Sequence, residues 1–332
     1  MRSPPAFWRH GVRSVWPALL APIGTVVAAV TARRIASPGW RAPVPVICCG
    51  NVTVGGAGKT TLALDLANRL CARGVAVHVL LRGYGGTSRG VHHVAPGDPV
   101  SLVGDEALLL AEIAPTWVGA DRAASARAAV AAGAQALLLD DGLQNPTLAK
   151  DLSLLVVDGG GGFGNGHVLP AGPLREPVAA GAARCQAAVL IGADETGAVA
   201  RLPSELPLLH ARLEQGPESA DLLGQRAFAF AGIARPEKFF DGLEQAGVTI
   251  VARRPFSDHH PYTAPEIQDV LETATRLDAI AVTTPKDAIR LQPALRAGVR
   301  VVGVRLVWDD EAVIENLLDG QITSHDRPTH RQ

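Results

Sequence analysis

The chain has 332 residues and a formal net charge of −1, and 47% of its residues are hydrophobic and 19% charged. This is the composition of a folded α/β protein, and it excludes the strongly basic chains that bind nucleic acid through charge alone. The length exceeds what one hydrophobic core usually supports, so we predict two domains.

The N-terminal 64 residues contain no Asp or Glu but carry six arginines and one lysine. Between the arginines lies a 16-residue apolar run, 15–30, which contains Pro17, Pro22 and Gly24. The run is shorter than the roughly 20 residues that a membrane-spanning helix needs. We therefore interpret residues 1–40 as a basic and apolar membrane-associating segment, a monotopic anchor whose arginines contact an anionic membrane surface. A spanning helix, a signal peptide and a buried helix hairpin are the alternatives.

Short apolar runs alternate with helical patterns over residues 41–206, which we interpret as a P-loop kinase domain. The alternation predicts an α/β fold of the P-loop NTPase type. Its sheet should be parallel and doubly wound, with ligands at the carboxyl ends of the strands. The predicted strands are 46–49, 75–81, 136–139, 152–157 and 187–191, and the predicted helices are 62–70, 105–113 and 123–132.

A second, smaller α/β domain is predicted over residues 207–308, including the linker strands that join it to the first domain. The linker is rich in Pro, Glu and Gly and contains one strand, 208–213. The βα pattern resumes at 227–231 and ends with a strand at 301–308. We expect that last strand to pair with 208–213 as a second connection between the domains. Residues 309–332 form a C-terminal segment.

A glycine-rich stretch, 50–61, follows a predicted strand and precedes a predicted helix, as a P-loop does. Backbone N–H groups and the helix N-terminus of such a loop bind the phosphates of ATP. Lys59 is the predicted catalytic cation at the β- and γ-phosphates, and the Thr60 hydroxyl is a predicted ligand of Mg²⁺. Thr53 stands where the strict pattern has Gly. The predicted nucleotide-binding residues are Thr53, Val54, Gly55, Gly56, Ala57, Gly58, Lys59 and Thr60.

Acidic residues next to predicted strands and helices are the candidate metal ligands. Asp140 and Asp141 end an apolar strand, where an acid beside a P-loop usually binds Mg²⁺, and the pattern does not distinguish between them. Glu106 is a further candidate ligand. Asp105 and Glu106 open a predicted helix, so stabilisation of the helix N-terminus is the alternative role for both.

Two arginines and two histidines lie in loops where they could contact a substrate. Arg82 and Arg175 are surrounded by Gly and Pro, and a guanidinium fixed in this way can bind a phosphate bidentately; a solvent-facing turn is the alternative. Phosphoryl transfer to an alcohol also needs a carboxylate or a histidine that accepts the hydroxyl proton. His259 and His260 are the candidate histidines, and Asp105 is the candidate carboxylate.

These motifs, taken together, resemble the tetraacyldisaccharide 4'-kinase family of lipid A biosynthesis. They occur in the order of the family from residue 43 to about residue 291. The motifs are Pro43-Val44-Pro45-Val46-Ile47, Gly50-Asn51-Val52-Thr53-Val54-Gly55-Gly56, Arg82-Gly83-Tyr84-Gly85-Gly86, Val103-Gly104-Asp105-Glu106, Asp140-Asp141-Gly142-Leu143-Gln144, Phe163-Gly164-Asn165-Gly166, Leu169-Pro170-Ala171-Gly172-Pro173-Leu174-Arg175-Glu176, Ala231-Gly232-Ile233-Ala234-Arg235-Pro236, Asp258-His259-His260 and Thr283-Thr284-Pro285-Lys286-Asp287.

The resemblance implies phosphorylation of the 4'-hydroxyl of an acylated glucosamine disaccharide 1-phosphate, with ATP and Mg²⁺, at the cytoplasmic face of the inner membrane. It also implies that Asp105 and His259 act together as base and orienter. We expect neither a nucleic acid nor an obligatory protein partner. Three positions depart from the family: Thr61 stands where Pro is usual, Asn145 where His is usual and Pro285 where Glu is usual.

Two other classes of P-loop protein compete with this interpretation. The stretch 54–61 resembles the loop of ParA/MinD-type switch ATPases, but these carry a signature lysine at the position of Val54. A cofactor-biosynthesis ligase of the dethiobiotin synthetase type would not need an acid-free basic N-terminus.

Overall fold

The computed structural model describes residues 4–325 and arranges them around two β-sheets. Residues 1–3 of the predicted membrane-associating segment and residues 326–332 of the predicted C-terminal segment lie outside the described residues. The strands are β1 (Val46–Gly50), β2 (Val77–Leu81), β3 (His92–His93), β4 (Thr116–Val118), β5 (Ala136–Asp140), β6 (Leu152–Asp158), β7 (Ala187–Ile191), β8 (Leu208–Gln215), β9 (Arg226–Ala231), β10 (Thr249–Pro255), β11 (Ile280–Thr283), β12 (Arg300–Val301) and β13 (Val304–Trp308). The helices are α1 (Trp16–Ile35), α2 (Lys59–Ala72), α3 (Val100–Val103), α4 (Asp105–Ala111), α5 (Arg122–Ala131), α6 (Val178–Ala182), α7 (Pro236–Gln245), α8 (Ala264–Arg276), α9 (Pro285–Ala288), α10 (Pro293–Arg296) and α11 (Glu311–His325).

The large sheet has the strand order β13-β8-β7-β6-β1-β5-β2-β4-β3. Its strands are parallel except at the two edges, where β13 pairs with β8 and β3 pairs with β4 in antiparallel fashion. Strand β1 lies between β5 and β6, so the chain winds away from it in both directions and the loop after β1 leaves the sheet at a topological switch point. This arrangement confirms the predicted α/β fold with a doubly wound parallel sheet.

Alternate residues of β1 enter the two hydrophobic layers on opposite faces of this sheet. Ile47 and Cys49 are buried in the layer that contains α2, while Val46 and Cys48 are buried in the layer that contains α5. A central parallel strand is covered on both faces, which explains why its sequence is continuously apolar rather than alternating.

The smaller sheet has the order β10-β9-β11-β12, and all of its neighbouring strands are parallel. Helix α7 buries Phe240 and Leu243 against one face, and α8 buries Ile267 and Val270 against the other. The smaller sheet therefore has helical layers and hydrophobic cores of its own, as the βα pattern predicts.

The predicted strand 301–308 is wrong as a single element, because the chain changes sheets within it. Its first part is β12 of the smaller sheet and its second part is β13 of the large sheet, with Val302 and Gly303 between them. The expected pairing with 208–213 is present, since Leu306 lies opposite Leu213. Pairing thus puts both β8 and β13 in the large sheet, although the sequence-based division assigned them to the smaller domain.

The apolar run near the N-terminus forms the single helix α1 rather than a buried hairpin. Within the described residues it is the one helix that is long and apolar enough to cross a membrane, by length and composition alone. Pro17 and Gly24 are its buried residues, and a side chain at Gly24 would come within 2.9 Å of Val168 O. Its exposed large apolar residues are Trp16, Leu19, Ile23, Val26 and Val30. These are spaced by three or four residues, so they form one stripe along the helix.

Candidate active site

The loop between β1 and α2 is shaped to surround an anion. Gly55 and Gly58 adopt φ values of +107° and +86°, which turn the backbone in a way that other residues rarely allow. The amino group of Lys59 lies 3.4 Å from Gly55 O and 3.9 Å from Asp141 Oδ2. Together with the N-terminus of α2, this cation gives the loop the positive potential that phosphate groups require.

A neighbouring segment fixes this loop from the side. Val54 N donates a hydrogen bond to Pro173 O (2.8 Å), and Arg175 N donates one to Val52 O (2.7 Å). The nucleotide loop is therefore braced by residues 173–175 as well as by its own contacts. Its conformation is thus preformed for a ligand.

Asp140 ends β5 directly beside this loop. Thr60 Oγ1 donates a hydrogen bond to Asp140 Oδ2 (2.8 Å), whereas the buried Oδ1 atom has no hydrogen-bond partner among the described residues. Burial, followed by the charge of Glu106, raises the pKa of Asp140 to about 7 against the attraction of Lys59. A buried carboxylate with an unpaired oxygen and a second carboxylate nearby is suited to receive a cation.

Asp141 has a different environment from its neighbour. Its φ is 58°, and its two carboxylate oxygens accept hydrogen bonds from Arg175 Nη1 (2.8 Å) and Nη2 (2.9 Å). Burial raises the pKa of Asp141, but the charges of Lys59 and Arg175 outweigh burial and lower it below its ordinary value. The structure thus separates two acids that the sequence could not distinguish: Asp140 has a free oxygen, and Asp141 is occupied by a guanidinium.

These residues fit a magnesium ion. Mg²⁺ takes one or two protein carboxylates and completes its octahedron with phosphate oxygens and water. Asp140 Oδ1 and the Thr60 hydroxyl are hard oxygen atoms of this kind, and Glu106 lies close enough to influence Asp140. Within residues 4–325 no group of three or more His, Cys, Asp or Glu side chains could hold a metal by itself.

Asp105, the first residue of α4, is surrounded by basic side chains from the smaller domain. His259 Nδ1 donates to Asp105 Oδ2 (2.9 Å), and Arg290 Nε donates to the same oxygen (3.1 Å). Lys286 Nζ lies 3.9 Å away. Burial raises the pKa of Asp105, but the hydrogen bond from His259 and the charges of Lys286 and Arg290 outweigh it and hold this pKa well below the usual range. Asp105 is therefore a stable anion in this arrangement.

The arginine that binds Asp105 is itself fixed from behind. Asp287 Oδ1 accepts hydrogen bonds from Arg290 Nη1 (3.1 Å), Tyr262 OH (2.9 Å) and Gly232 N (2.9 Å). Asp287 is fully buried. The guanidinium of Arg290 lies between Asp287 and Asp105 and neutralises the charge of both buried carboxylates. Sequence reasoning missed Arg290, because Asp105, the carboxylate that it neutralises, lies 185 residues earlier in the chain.

The two adjacent histidines have separate roles in the packing. His259 has φ 57° and directs its ring to Asp105. His260 instead packs against Phe256 with 4.8 Å between the ring centroids and a tilt of 35°, and its Nε2 lies 3.1 Å from Glu266 Oε1. The structure thus brings the predicted catalytic residues Asp105 and His259 together and leaves His260 in an aromatic cluster.

Two further arginines lie at this end of the large sheet. Arg82, which the sequence predicts to bind substrate, is exposed and has no hydrogen bond or ion pair within the described residues. Arg122, which sequence reasoning missed, is 3% exposed and its Nε atom has no partner in the described part of the chain. Burial lowers the pKa of Arg122 to about 10, although the charge of Asp141 opposes this shift. At the start of an Ala-rich helix, such an arginine resembles an ordinary surface residue.

Comparison with known proteins gives one consistent family. The sequence model of the LpxK family, described as tetraacyldisaccharide-1-P 4'-kinase, matches residues 16–323. A protein named tetraacyldisaccharide 4'-kinase from Gluconacetobacter diazotrophicus is 58% identical over 317 residues, covering 95% of this chain and 97% of that protein. Another of the same name from Rhodospirillum rubrum is 52% identical, covering 98% of this chain and 100% of that protein. The crystal structure of LpxK from Aquifex aeolicus in complex with ATP is similar with a TM-score of 0.72 and 25% identity, covering 92% of this chain and 99% of that chain.

The ion pair of Asp105 and Arg290 should contribute measurably to stability. We expect Arg290→Met to lower the free energy of unfolding by about 2–5 kcal/mol, because two buried carboxylates lose a cation. Arg305→Met is the control, since Arg305 pairs with Glu214 at 2.9 Å on the surface, and it should cost less than about 1 kcal/mol. Urea unfolding measures both. Equal losses for the two variants would contradict a stabilising buried pair.

Proposed function

Because this chain belongs to the tetraacyldisaccharide-1-P 4'-kinase family, we propose that it transfers the γ-phosphate of ATP to the 4'-hydroxyl of an acylated glucosamine disaccharide 1-phosphate in lipid A biosynthesis. One observation carries the proposal: a phosphate-binding loop and a paired carboxylate and imidazole meet at the same end of the sheet. Glu106, which follows Asp105 directly, is close enough to Asp140 to raise its pKa. The groups suited to bind a phosphoryl donor and to accept a hydroxyl proton are therefore neighbours.

In this proposal the nucleotide loop contributes most to catalysis, because it holds positive groups around the phosphoryl group that is transferred. Phosphoryl transfer passes through a transition state whose charge is spread over the phosphoryl oxygens, so catalysis depends on fixed cations and backbone N–H groups. Lys59 contacts the β- and γ-phosphates. Thr60 and Asp140, with Glu106 beside them, would hold Mg²⁺, which would supply neutralisation of phosphate charge. Asp141 positions Arg175, and Lys59 lies 3.9 Å from the same carboxylate.

Asp105 and His259 remove the proton of the acceptor hydroxyl as one unit. Their hydrogen bond of 2.9 Å joins the two groups, so the imidazole accepts the proton while the carboxylate holds its other nitrogen. Arg290 and Lys286 keep Asp105 ionised, which holds the imidazole in one orientation and stabilises it when it is protonated. Because Asp105 lies on α4 and His259 belongs to the smaller domain, the unit exists only while the two domains are in contact.

Helix α1 places the enzyme at the membrane that contains its acceptor. Its exposed apolar stripe enters the acyl boundary of the inner membrane on the cytoplasmic side, where ATP is available. Arg33 and Arg34 in its last turn, and Arg9 and Arg13 before its first turn, contact anionic headgroups. This arrangement supports peripheral or monotopic attachment through one face of the helix.

The function is tested by product formation with purified full-length protein. We expect ATP turnover to require a detergent-dispersed acyl disaccharide 1-phosphate and to yield a second phosphomonoester on it. Lys59→Ala should lower kcat/KM by about 10²–10³-fold, since one preorganised donor to the transition state is lost. ATP hydrolysis that is independent of the acceptor would favour a switch ATPase, and turnover only with a different acceptor would favour a ligase.

The catalytic pair is tested by a double-mutant comparison. We expect Asp105→Ala and His259→Ala each to lower kcat by about 10²–10⁴-fold, with little change in the KM for ATP. The double variant should be hardly worse than the poorer single variant, because residues that act as a unit are not additive. His260→Ala is the matched control and should be mild. Multiplicative effects, or a raised KM for ATP in Asp105→Ala, would place Asp105 in the metal site instead.

The membrane face of α1 is tested by introducing charge into its stripe. We expect Leu19→Glu/Val26→Glu to abolish co-sedimentation with anionic liposomes, because a buried glutamate opposes insertion. Leu223→Glu/Val313→Glu is the control, since it adds the same charge at two apolar residues that are exposed elsewhere. Circular dichroism confirms folding of both variants. Equal liposome binding by the two variants would rule out attachment through this stripe.

A further inference from the structure

Lys286 is a cation of the smaller domain whose contacts are all long. It is the second residue of α9 and belongs to the motif 283–287, for which the sequence predicted no role. Its ammonium lies 3.4 Å from Glu106 Oε1 and 3.9 Å from Asp105 Oδ2, and it has no other hydrogen bond or ion pair within residues 4–325. An ammonium group carries three N–H donors, so Lys286 keeps donors for a further anion.

The backbone that carries Lys286 is fixed by its neighbours. Asp287, the next residue, is fully buried and accepts hydrogen bonds from Gly232 N (2.9 Å) and Tyr262 OH (2.9 Å). Thr284 Oγ1 donates to Asp287 Oδ2 (2.6 Å) and accepts from Asp287 N (3.1 Å), which closes the first turn of α9. The side chain of Lys286 is 24% exposed and extends from this fixed turn toward the start of α4.

Arg290, the neighbouring cation, does not have this freedom. Its guanidinium is 5% exposed and donates through Nε to Asp105 Oδ2 (3.1 Å). Its Nη1 atom donates to Asp287 Oδ1 (3.1 Å) and to Gly232 O (2.9 Å). Arg290 therefore joins protein groups to one another, whereas Lys286 has the exposure and the donors that a ligand requires.

Lys286 lies where the two halves of the proposed active site meet. On one side its ammonium faces Asp105 of the catalytic pair. On the other side it faces Glu106, which lies close enough to Asp140 for its charge to raise the pKa of that carboxyl group. Asp140 in turn accepts a hydrogen bond from Thr60 of the nucleotide loop (2.8 Å). The phosphoryl group moves in line from the nucleotide to the acceptor oxygen, that is, between these two sides.

A second cation beside the phosphoryl group meets a requirement of the reaction. Lys59 serves the phosphates from the nucleotide loop, while Arg175 is engaged by both carboxylate oxygens of Asp141. In other phosphoryl-transfer enzymes a cation supplied by a second domain or protein stabilises the transition state, and it contributes about 10³–10⁵-fold to kcat. Lys286 likewise reaches the site from the second domain.

We propose that Lys286 is a second catalytic cation, whose ammonium donates a hydrogen bond to an oxygen of the transferred phosphoryl group. The inference rests on the proposed function for the identity of the donor, ATP. The acceptor oxygen forms a bond to the γ-phosphorus, and the bond from that phosphorus to the bridging oxygen of ADP breaks. ADP leaves with the electron pair, and the hydroxyl proton passes to His259. Lys286 stays protonated throughout and stabilises the charge that develops on the phosphoryl oxygens.

The test measures binding of a transition-state analogue, ADP with aluminium fluoride in the presence of Mg²⁺. For Lys286→Met we expect the affinity for this analogue to fall by about 10²–10³-fold, because one donor to the transition state is lost, while the affinity for ADP alone stays unchanged. The kcat with the acyl disaccharide 1-phosphate should fall by a similar factor, with little change in the KM for ATP. Lys286→Arg keeps the charge and should recover part of both losses. Urea unfolding of Lys286→Met should resemble that of the wild type, since the lost contacts are long and partly exposed.

His259→Ala distinguishes contact with the phosphoryl group from an effect on the catalytic pair. This variant should lower kcat but leave the affinity for the aluminium fluoride complex unchanged, because the imidazole acts on the proton of the acceptor. If Lys286→Met behaved in the same way, Lys286 would act only through Asp105, and the proposal would be overturned.

Lys238→Met is the control for contact between the domains. Lys238 is the other lysine of the smaller domain, and its ammonium lies 3.5 Å from Asp158 of the large sheet. The variant should bind the analogue as the wild type does. Equal losses for Lys238→Met and Lys286→Met would assign the effect to domain contact and would also overturn the proposal. Because binding of the analogue needs no acceptor, an error in the acceptor assignment would leave these affinities unchanged.

Discussion

The burial of one carboxylate, Asp105, determines how the two sheets meet. An ionised carboxylate cannot leave water without partners, and the side chains that neutralise Asp105 come from residues 154 and 185 positions later in the chain. The smaller domain must therefore lie against α4, because its side chains neutralise the carboxylate at the N-terminus of that helix. Arg290 extends this dependence, because it is shared with the fully buried Asp287 beneath it.

The contact around Asp105 also brings together functional groups from both domains. The large domain supplies the loop, the hydroxyl of Thr60 and the free oxygen of Asp140, all of which are arranged around β1. The smaller domain supplies an imidazole and two cations to Asp105. Glu106 directly follows Asp105 and its charge raises the pKa of Asp140, so the two groups of residues meet at the start of α4.

Local sequence patterns predicted the features that depend on local physics. The nucleotide loop was evident from its glycines, since positive φ values need them, and 187–191 was evident because a fully buried strand is continuously apolar. The break at Gly303 was missed, because an apolar strand pattern does not say to which sheet it belongs. Arg290 and Arg122 were missed for a related reason: an arginine is identified as buried only by partners that the fold supplies. Asp140 and Asp141 remained equivalent until the partners of Asp141 were known.

The pairing of β8 with β13 has a consequence for the order in which the protein is made. The smaller sheet is inserted between these two strands, so the edge of the large sheet is completed only after every residue of the smaller sheet has been synthesised. Trp308 of β13 donates a hydrogen bond to Asp65 of α2, 243 residues earlier, and α11 buries Ile314 and Leu318 in the same layer as α2. Domains fold as units during synthesis at the ribosome. The smaller domain has its whole sequence available while one flank of the large domain is still uncovered, so the domain that is started first is the one that is closed last.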